Sequence, residues 1–157
     1  MTLLSVAALV ASACGANEQA VCGAEQHAFE ASNIHVLPGT EISYELSPPT
    51  SGPHTVPAPD PGIYRTPISE PLQVGAVEAG TVIVHYGKSL PVNDIEAWEA
   101  LALDRPVIVA PAARTLDDDA TIAFTAWGVR QLCLAVDLDA ARLFIDSHSF
   151  APERQHG

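Results

Sequence analysis

Hydrophobic and polar positions follow two different grammars along this chain. Residues 36–71 are punctuated by proline and glycine (LPGT, SPPTSGPH, VPAPDPG, TPISEP), which forbid long helices and remove sheet donors, so this half is predicted to be extended and turn-rich. Inside it, residues 41–46 (EISYEL) alternate Ile42, Tyr44 and Leu46 with polar neighbours, the pattern of a half-buried strand. After Gly80 the pattern changes. Residues 81–86 (TVIVHY) form a β-branched run suited to a buried strand. Asn93 then opens a predicted helix, with Glu96 completing an Asn-x-x-Glu capping box and Ile95, Trp98, Leu101 and Ala102 sharing an apolar face.

The sequence Asp104-Arg105-Pro106 stops that helix, and residues 106–110 (PVIVA) form a second buried strand, so strand, helix and strand suggest a right-handed parallel crossover. A loop over 111–120 leads to a third strand at 121–127 (TIAFTAW). Asp137 caps a final helix in which Leu138, Ala141, Phe144, Ile145 and His148 recur at helical spacing. The predicted class is α+β: a small mixed β-sheet with two packed helices and a Pro-rich, turn-rich N-terminal half.

The first residues carry a separate signal. Residues 2–13 (TLLSVAALVASA) are uncharged and apolar or small, shorter than the about 20 residues of a membrane-spanning helix but matched to the apolar core of a signal peptide. They end at Ala11-Ser12-Ala13-Cys14, which resembles a bacterial lipobox, in which the cysteine is acylated and becomes the mature N-terminus. The usual pattern has Leu where Ala11 stands, and no Lys or Arg precedes the run. The competing readings are a plain cleavable signal, giving a secreted protein, and an N-terminal core helix. The expected organisation is a lipoprotein-type signal peptide at 1–13, a tether at 14–21, one globular domain at 22–153 and a tail at 154–157. The location is extracytoplasmic, anchored to the membrane through the lipid on Cys14.

Composition narrows the partners. Of 157 residues, 48% are apolar and 17% charged, enough apolar surface to order the chain, and the net charge of −12 repels phosphate backbones, which excludes nucleic acid. With Cys14 acylated, Cys22 and Cys133 remain, and an oxidising compartment permits a disulfide between them; two separately buried thiols are the alternative. No Cys-x-x-Cys, Gly-x-Ser-x-Gly, HExxH, EF-hand or phosphate-loop pattern occurs.

The segment SPPTSGPH at 47–54 resembles a bacterial family of unknown function found in exported and membrane-anchored proteins. The family pattern runs through His35-Val36, Tyr44, Pro48 to His54, Gly62-Ile63-Tyr64, a His-x-x-Glu-His-Gly segment, Thr125-Ala126-Trp127-Gly128 and Pro152-Glu153. The resemblance spans nearly all of the mature chain and implies no established activity. At the His-x-x-Glu-His-Gly segment this chain departs: it reads Gly75-Ala76-Val77-Glu78-Ala79-Gly80, keeping Glu78 and Gly80 and losing both histidines.

The binding candidates are therefore His35, His54, Glu78, Tyr64 and Trp127. His54 ends a rigid loop, where its ring either forms a functional site or fixes the loop by donating to a backbone carbonyl. Glu78 is either a buried acid or base, a turn cap, or a partner of Arg65 or Arg130. His35 is read as a strand-edge residue, His85 as packed or edge-exposed within its strand, and Trp127 as a core anchor rather than a stacking platform. Thr50 and Ser51 stand close to His54 in sequence, but no catalytic residue is assigned. No cofactor and no metal is expected. The leading expectation is a non-catalytic domain that binds a partner protein, an envelope component or a small ligand. The alternative is a metal-binding or metal-dependent protein using His35, His54 and Glu78, with His85 as a further candidate, and it turns on whether those side chains converge.

Overall fold

The computed structural model describes residues 20–29, 34–87 and 91–150. The apolar run at 2–13, Cys14 and the Pro152-Glu153 pair lie outside the described residues. Among the described residues no helix is long and apolar enough to cross a membrane.

The strands are β1 (Gln26–His27), β2 (Gly62–Ile63), β3 (Val82–Tyr86), β4 (Val107–Pro111), β5 (Ile122–Ala126) and β6 (Val129–Cys133); the helices are α1 (Glu70–Glu78), α2 (Val92–Ala102) and α3 (Leu138–His148). The strands make one sheet in the order β1-β6-β5-β3-β4-β2. β4 runs parallel to both β3 and β2, whereas β3–β5, β5–β6 and β1–β6 are antiparallel. The class is thus α+β with a mixed sheet. The β-branched runs at 82–84 and 107–109 are buried throughout, as central strands covered on both faces require. The β5–β6 hairpin turns on Trp127 and Gly128, and Gly128 takes the φ of 69° that such a two-residue turn favours.

One sheet face packs Val82, Val84, Val109, Ile122 and Phe124 against Trp98 of α2 and Phe144 and Ile145 of α3. Burying Phe124 and Phe144 contributes about 1.5–3 kcal/mol each. Ile83, Ile108 and Ala110 on the other face meet Ala76 and Val77 of α1 together with Ile68. The disulfide expected between Cys22 and Cys133 is present, with an S–S distance of 2.05 Å. It ties the segment before β1 to the end of β6. Asp137 caps α3, its carboxylate accepting from the amides of Asp139 and Ala140.

Several local features differ from the sequence pattern. Among the described residues there are three α-helices rather than two: α1 escapes the sequence pattern because Gln73, Val74, Gly75, Ala76 and Val77 are all buried, so it has no polar face to give it a 3.6-residue period. β6 was also not anticipated. Its Arg130 is buried against Asp117, at 2.6 Å, which hides the strand from a hydrophobicity pattern. The helix expected to open at Asn93 instead has Pro91 as its N-cap, with no side-chain cap. Pro91, with φ −58°, is already set for helix entry and has no N–H to satisfy, so the first turn starts two residues early. The EISYEL segment has no strand pairing; Tyr44 points inward and its hydroxyl donates to the Pro53 carbonyl.

This last contact belongs to a set that anchors the Pro-rich segment. The Ser47 amide donates to Asp117 Oδ2 at 2.9 Å and the Asp117 amide donates back to the Ser47 carbonyl at 2.9 Å. Burial raises the Asp117 carboxyl, but the Ser47 amide and the Arg130 and Arg114 guanidinium groups outweigh it and hold the carboxyl below its ordinary value. Arg114 donates to the carbonyls of Tyr44 and Leu46 and pairs with Glu70 of α1. Farther along, the Thr50 hydroxyl donates to the Ala28 carbonyl, and the Gly128 amide to the Thr50 carbonyl at 2.9 Å. The segment preceding His54 is thereby fixed to β1, the β5–β6 turn and α1.

Candidate functional site

His35 and His54 sit on adjacent, parallel stretches of backbone. The His54 amide donates to the Ile34 carbonyl at 2.9 Å, and the Val36 amide to the His54 carbonyl at 2.8 Å. This pairing brings the two imidazole rings edge to face at 4.8 Å between centroids. Glu78, the last residue of α1, closes the group: its Oε2 lies 2.8 Å from His54 Nε2 and 3.6 Å from His35 Nε2. Neither Arg65 nor Arg130 is its partner, because Arg65 pairs with Glu99 and Arg130 with Asp117.

Gly75 makes the convergence possible. A Cβ at this position would lie 2.8 Å from the Thr55 carbonyl oxygen and 3.5 Å from His54 Cδ2, so only glycine lets α1 come this close to the loop. A side chain at 75 cannot occupy this backbone arrangement, and the glycine is what lets α1 present Glu78 to His54.

The hydrogen-bond inventory of His54 is informative. Its Nδ1 lies 3.0 Å from the Gly52 carbonyl oxygen, which can only accept, so Nδ1 carries the hydrogen and Nε2 presents its lone pair toward Glu78. Nε2 thus faces Glu78 Oε2 at 2.8 Å, the edge of the ring that an ion would take. A fixed Nδ1–H···O=C bond is also the arrangement that orients a ligating imidazole. His54 is fully buried, whereas the His35 side chain is 58% exposed and that of Glu78 29%. One ligand atom from each of the three lies within 4.8 Å of the other two. Tetrahedral coordination at zinc-like bond lengths separates its ligands by about 3.4 Å; His35 already stands at 3.6 Å from Glu78, whereas the 2.8 Å His54–Glu78 contact must open by about half an ångström, a movement for the partly exposed Glu78 side chain.

Trp127 packs edge-on against His54 at 6.3 Å and against Phe29 at 5.9 Å. It is half-buried and walls off one side of the imidazole. Tyr64 stands elsewhere: its hydroxyl donates to the Asp60 carbonyl at 2.8 Å, and its ring packs with Ile68, Ile83 and Ile108. His85 is separate too. It is fully buried in β3, with Nε2 2.8 Å from Thr125 Oγ1, and burial alone pushes its pKa down to about 3. Thr50 and Ser51 are fully buried, and the Thr50 hydroxyl is committed to Ala28, so Thr50 is not placed to act as a nucleophile toward an outside substrate. The reading of His54 as a donor to a backbone carbonyl is met by Gly52, two residues before it; Phe29 carries no sign in the sequence, since it joins the neighbourhood only through its tertiary contact with Trp127.

No curated protein and no solved structure shows significant similarity to the chain. Residues 35–157, a span that begins at His35 and includes His54, Glu78 and Trp127, match the family described as Protein of unknown function (DUF3105), and the chain belongs to that family.

Proposed function

We propose that this domain is a non-catalytic binding protein whose ligand is a divalent transition-metal ion, held by His35, His54 and Glu78. The observation that carries the reading is the convergence of two imidazoles and a carboxylate, with the buried imidazole locked by the Gly52 carbonyl so that Nε2 faces the site. A donor set of two nitrogens and one oxygen suits Zn²⁺ or Cu²⁺ rather than Ca²⁺ or Mg²⁺. The net charge of −12 attracts cations to the surface. Three protein ligands leave a coordination position open, and one ligand is exposed, which suits reversible loading.

We further propose that the domain works outside the cytoplasm, tethered by lipid on Cys14. The Cys22–Cys133 disulfide supports an oxidising compartment.

The test of metal binding is calorimetric titration of the metal-stripped domain with Zn²⁺. The expected result is one ion per chain at a dissociation constant of about 1 µM or tighter, roughly −8 kcal/mol. His35→Ala should weaken it at least tenfold without unfolding, because the ring is mostly exposed. The absence of saturable binding, or equal affinity in His35→Ala, overturns the proposal.

A further inference from the structure

Glu78 is shared between the three-residue cluster and a neighbouring cavity of about 310 Å³, which Trp127, packed against His54, also lines. Its wall continues through Ala126, Gly80, His148 and Phe150. The ends of α1 and α3 are joined here by a hydrogen bond from the Phe150 amide to the Gly80 carbonyl at 3.0 Å. Gly80 has φ +87°, and a Cβ there would lie 2.8 Å from the Phe150 carbonyl oxygen, so the junction needs glycine on both counts. The cavity is thus a constructed concavity with two aromatic side chains, the site carboxylate at one side and an imidazole at another. His148 is held there by Glu25, with its Nε2 at 3.0 Å from Glu25 Oε2.

Resting on the metal-binding reading above, we propose that this cavity receives a compact organic acid. Its carboxylate completes the coordination of the ion, and its apolar body lies against Trp127 and Phe150. The size and lining fit a small ligand with an apolar body and one polar head, the general character of such sites. The electrostatics make the binding conditional. Without an ion, the cavity's carboxylate, Glu78, offers an organic anion no attraction; a bound dication adds positive charge beside it and attracts the acid. The ion and the acid therefore bind together, and the domain takes up the acid only in its loaded state.

The test uses the full chain loaded with Co²⁺, whose visible spectrum reports its ligands, with benzoate and acetate as probes. Benzoate should perturb the spectrum saturably and at least tenfold more tightly than acetate, and the metal-free protein should bind neither. Phe150→Ala should bring benzoate down to the acetate level while leaving Co²⁺ affinity unchanged; the Phe150 side chain is 67% exposed, so this variant should fold normally. Equal affinities for benzoate and acetate, or a benzoate preference that survives Phe150→Ala, overturn the cavity proposal while leaving the metal site in place. Failure of Co²⁺ to bind removes both.

Discussion

The Thr55 carbonyl oxygen stands 2.8 Å from where a Cβ on Gly75 would be, so the contact between α1 and the loop carrying His54 is made backbone to backbone. Adding even a methyl group there must push the two apart. Overpacking of this kind costs about 1–3 kcal/mol, offset in part by the about 1 kcal/mol that alanine gains over glycine within a helix. Gly75→Ala is therefore expected to lower the unfolding free energy by up to about 2 kcal/mol in urea titrations. It should weaken Zn²⁺ binding as well, because Glu78 and His54 move with the two segments. A variant with both the stability and the Zn²⁺ affinity of the parent would show that α1 slides at no cost.

His85 gives the fold a specific acid sensitivity. In the unfolded chain its imidazole takes up a proton as the pH falls through 6.5; in the folded chain burial holds it neutral down to about pH 3. The unfolded state thus binds more protons throughout that window, and stability falls as the pH falls, by about 1.4 kcal/mol per pH unit from this group. His85 Nδ1 has no hydrogen-bond partner among the described residues, so nothing nearby offsets the cost of charging the ring. Between pH 6.5 and 5 the unfolding free energy is expected to drop by about 2 kcal/mol, and His85→Gln should remove most of that slope. An unchanged slope in the variant would assign the sensitivity elsewhere.

Continuous apolar runs buried on both faces, and helices with a capping residue and one apolar side, are legible in the sequence. TVIVHY, PVIVA and TIAFTAW became β3, β4 and β5, and Asp137 caps α3 as its spacing predicts. Elements stabilised mainly by tertiary partners were not. α1 is buried around most of its circumference, β6 carries a buried arginine whose partner is 13 residues away, and Tyr44 alternates inward without any ladder beside it. The candidate site shows the same division. His35, His54 and Glu78 were each nominated from the chain, but their meeting depends on Gly75, on the Thr50–Ala28 and Ser47–Asp117 anchors and on the Ile34–His54 backbone pairing. A glycine in place of a motif histidine reads in sequence as a lost ligand; in three dimensions it is what admits the remaining ones.

The Cys22–Cys133 bond closes a loop with a sequence separation of 111. The chain-entropy account gives a stabilisation of about 4–5 kcal/mol for a loop of that length, and removing such a bond from a small domain commonly costs about 2–5 kcal/mol. Cys22→Ser with Cys133→Ser is expected to lose stability in that range by urea titration. In the parent domain made without Cys14, intact-mass analysis after alkylation should show no adduct unless reductant is present, and two with it. Two adducts without reductant would mean that the bond does not form.

Glu78 supplies the charged oxygen of the three-residue set, its Oε2 lying 2.8 Å from His54 Nε2 and 3.6 Å from His35 Nε2. Glu78→Gln separates that charge from the contact. The glutamine amide can donate its own N–H to a ring nitrogen and its oxygen can accept from one, so a hydrogen bond to His54 survives while the anionic ligand is lost. That variant should keep the parent's stability within about 1 kcal/mol in urea titrations and bind Zn²⁺ at least tenfold more weakly by calorimetry. Unchanged Zn²⁺ affinity in Glu78→Gln would mean that the carboxylate is not one of the atoms the ion takes.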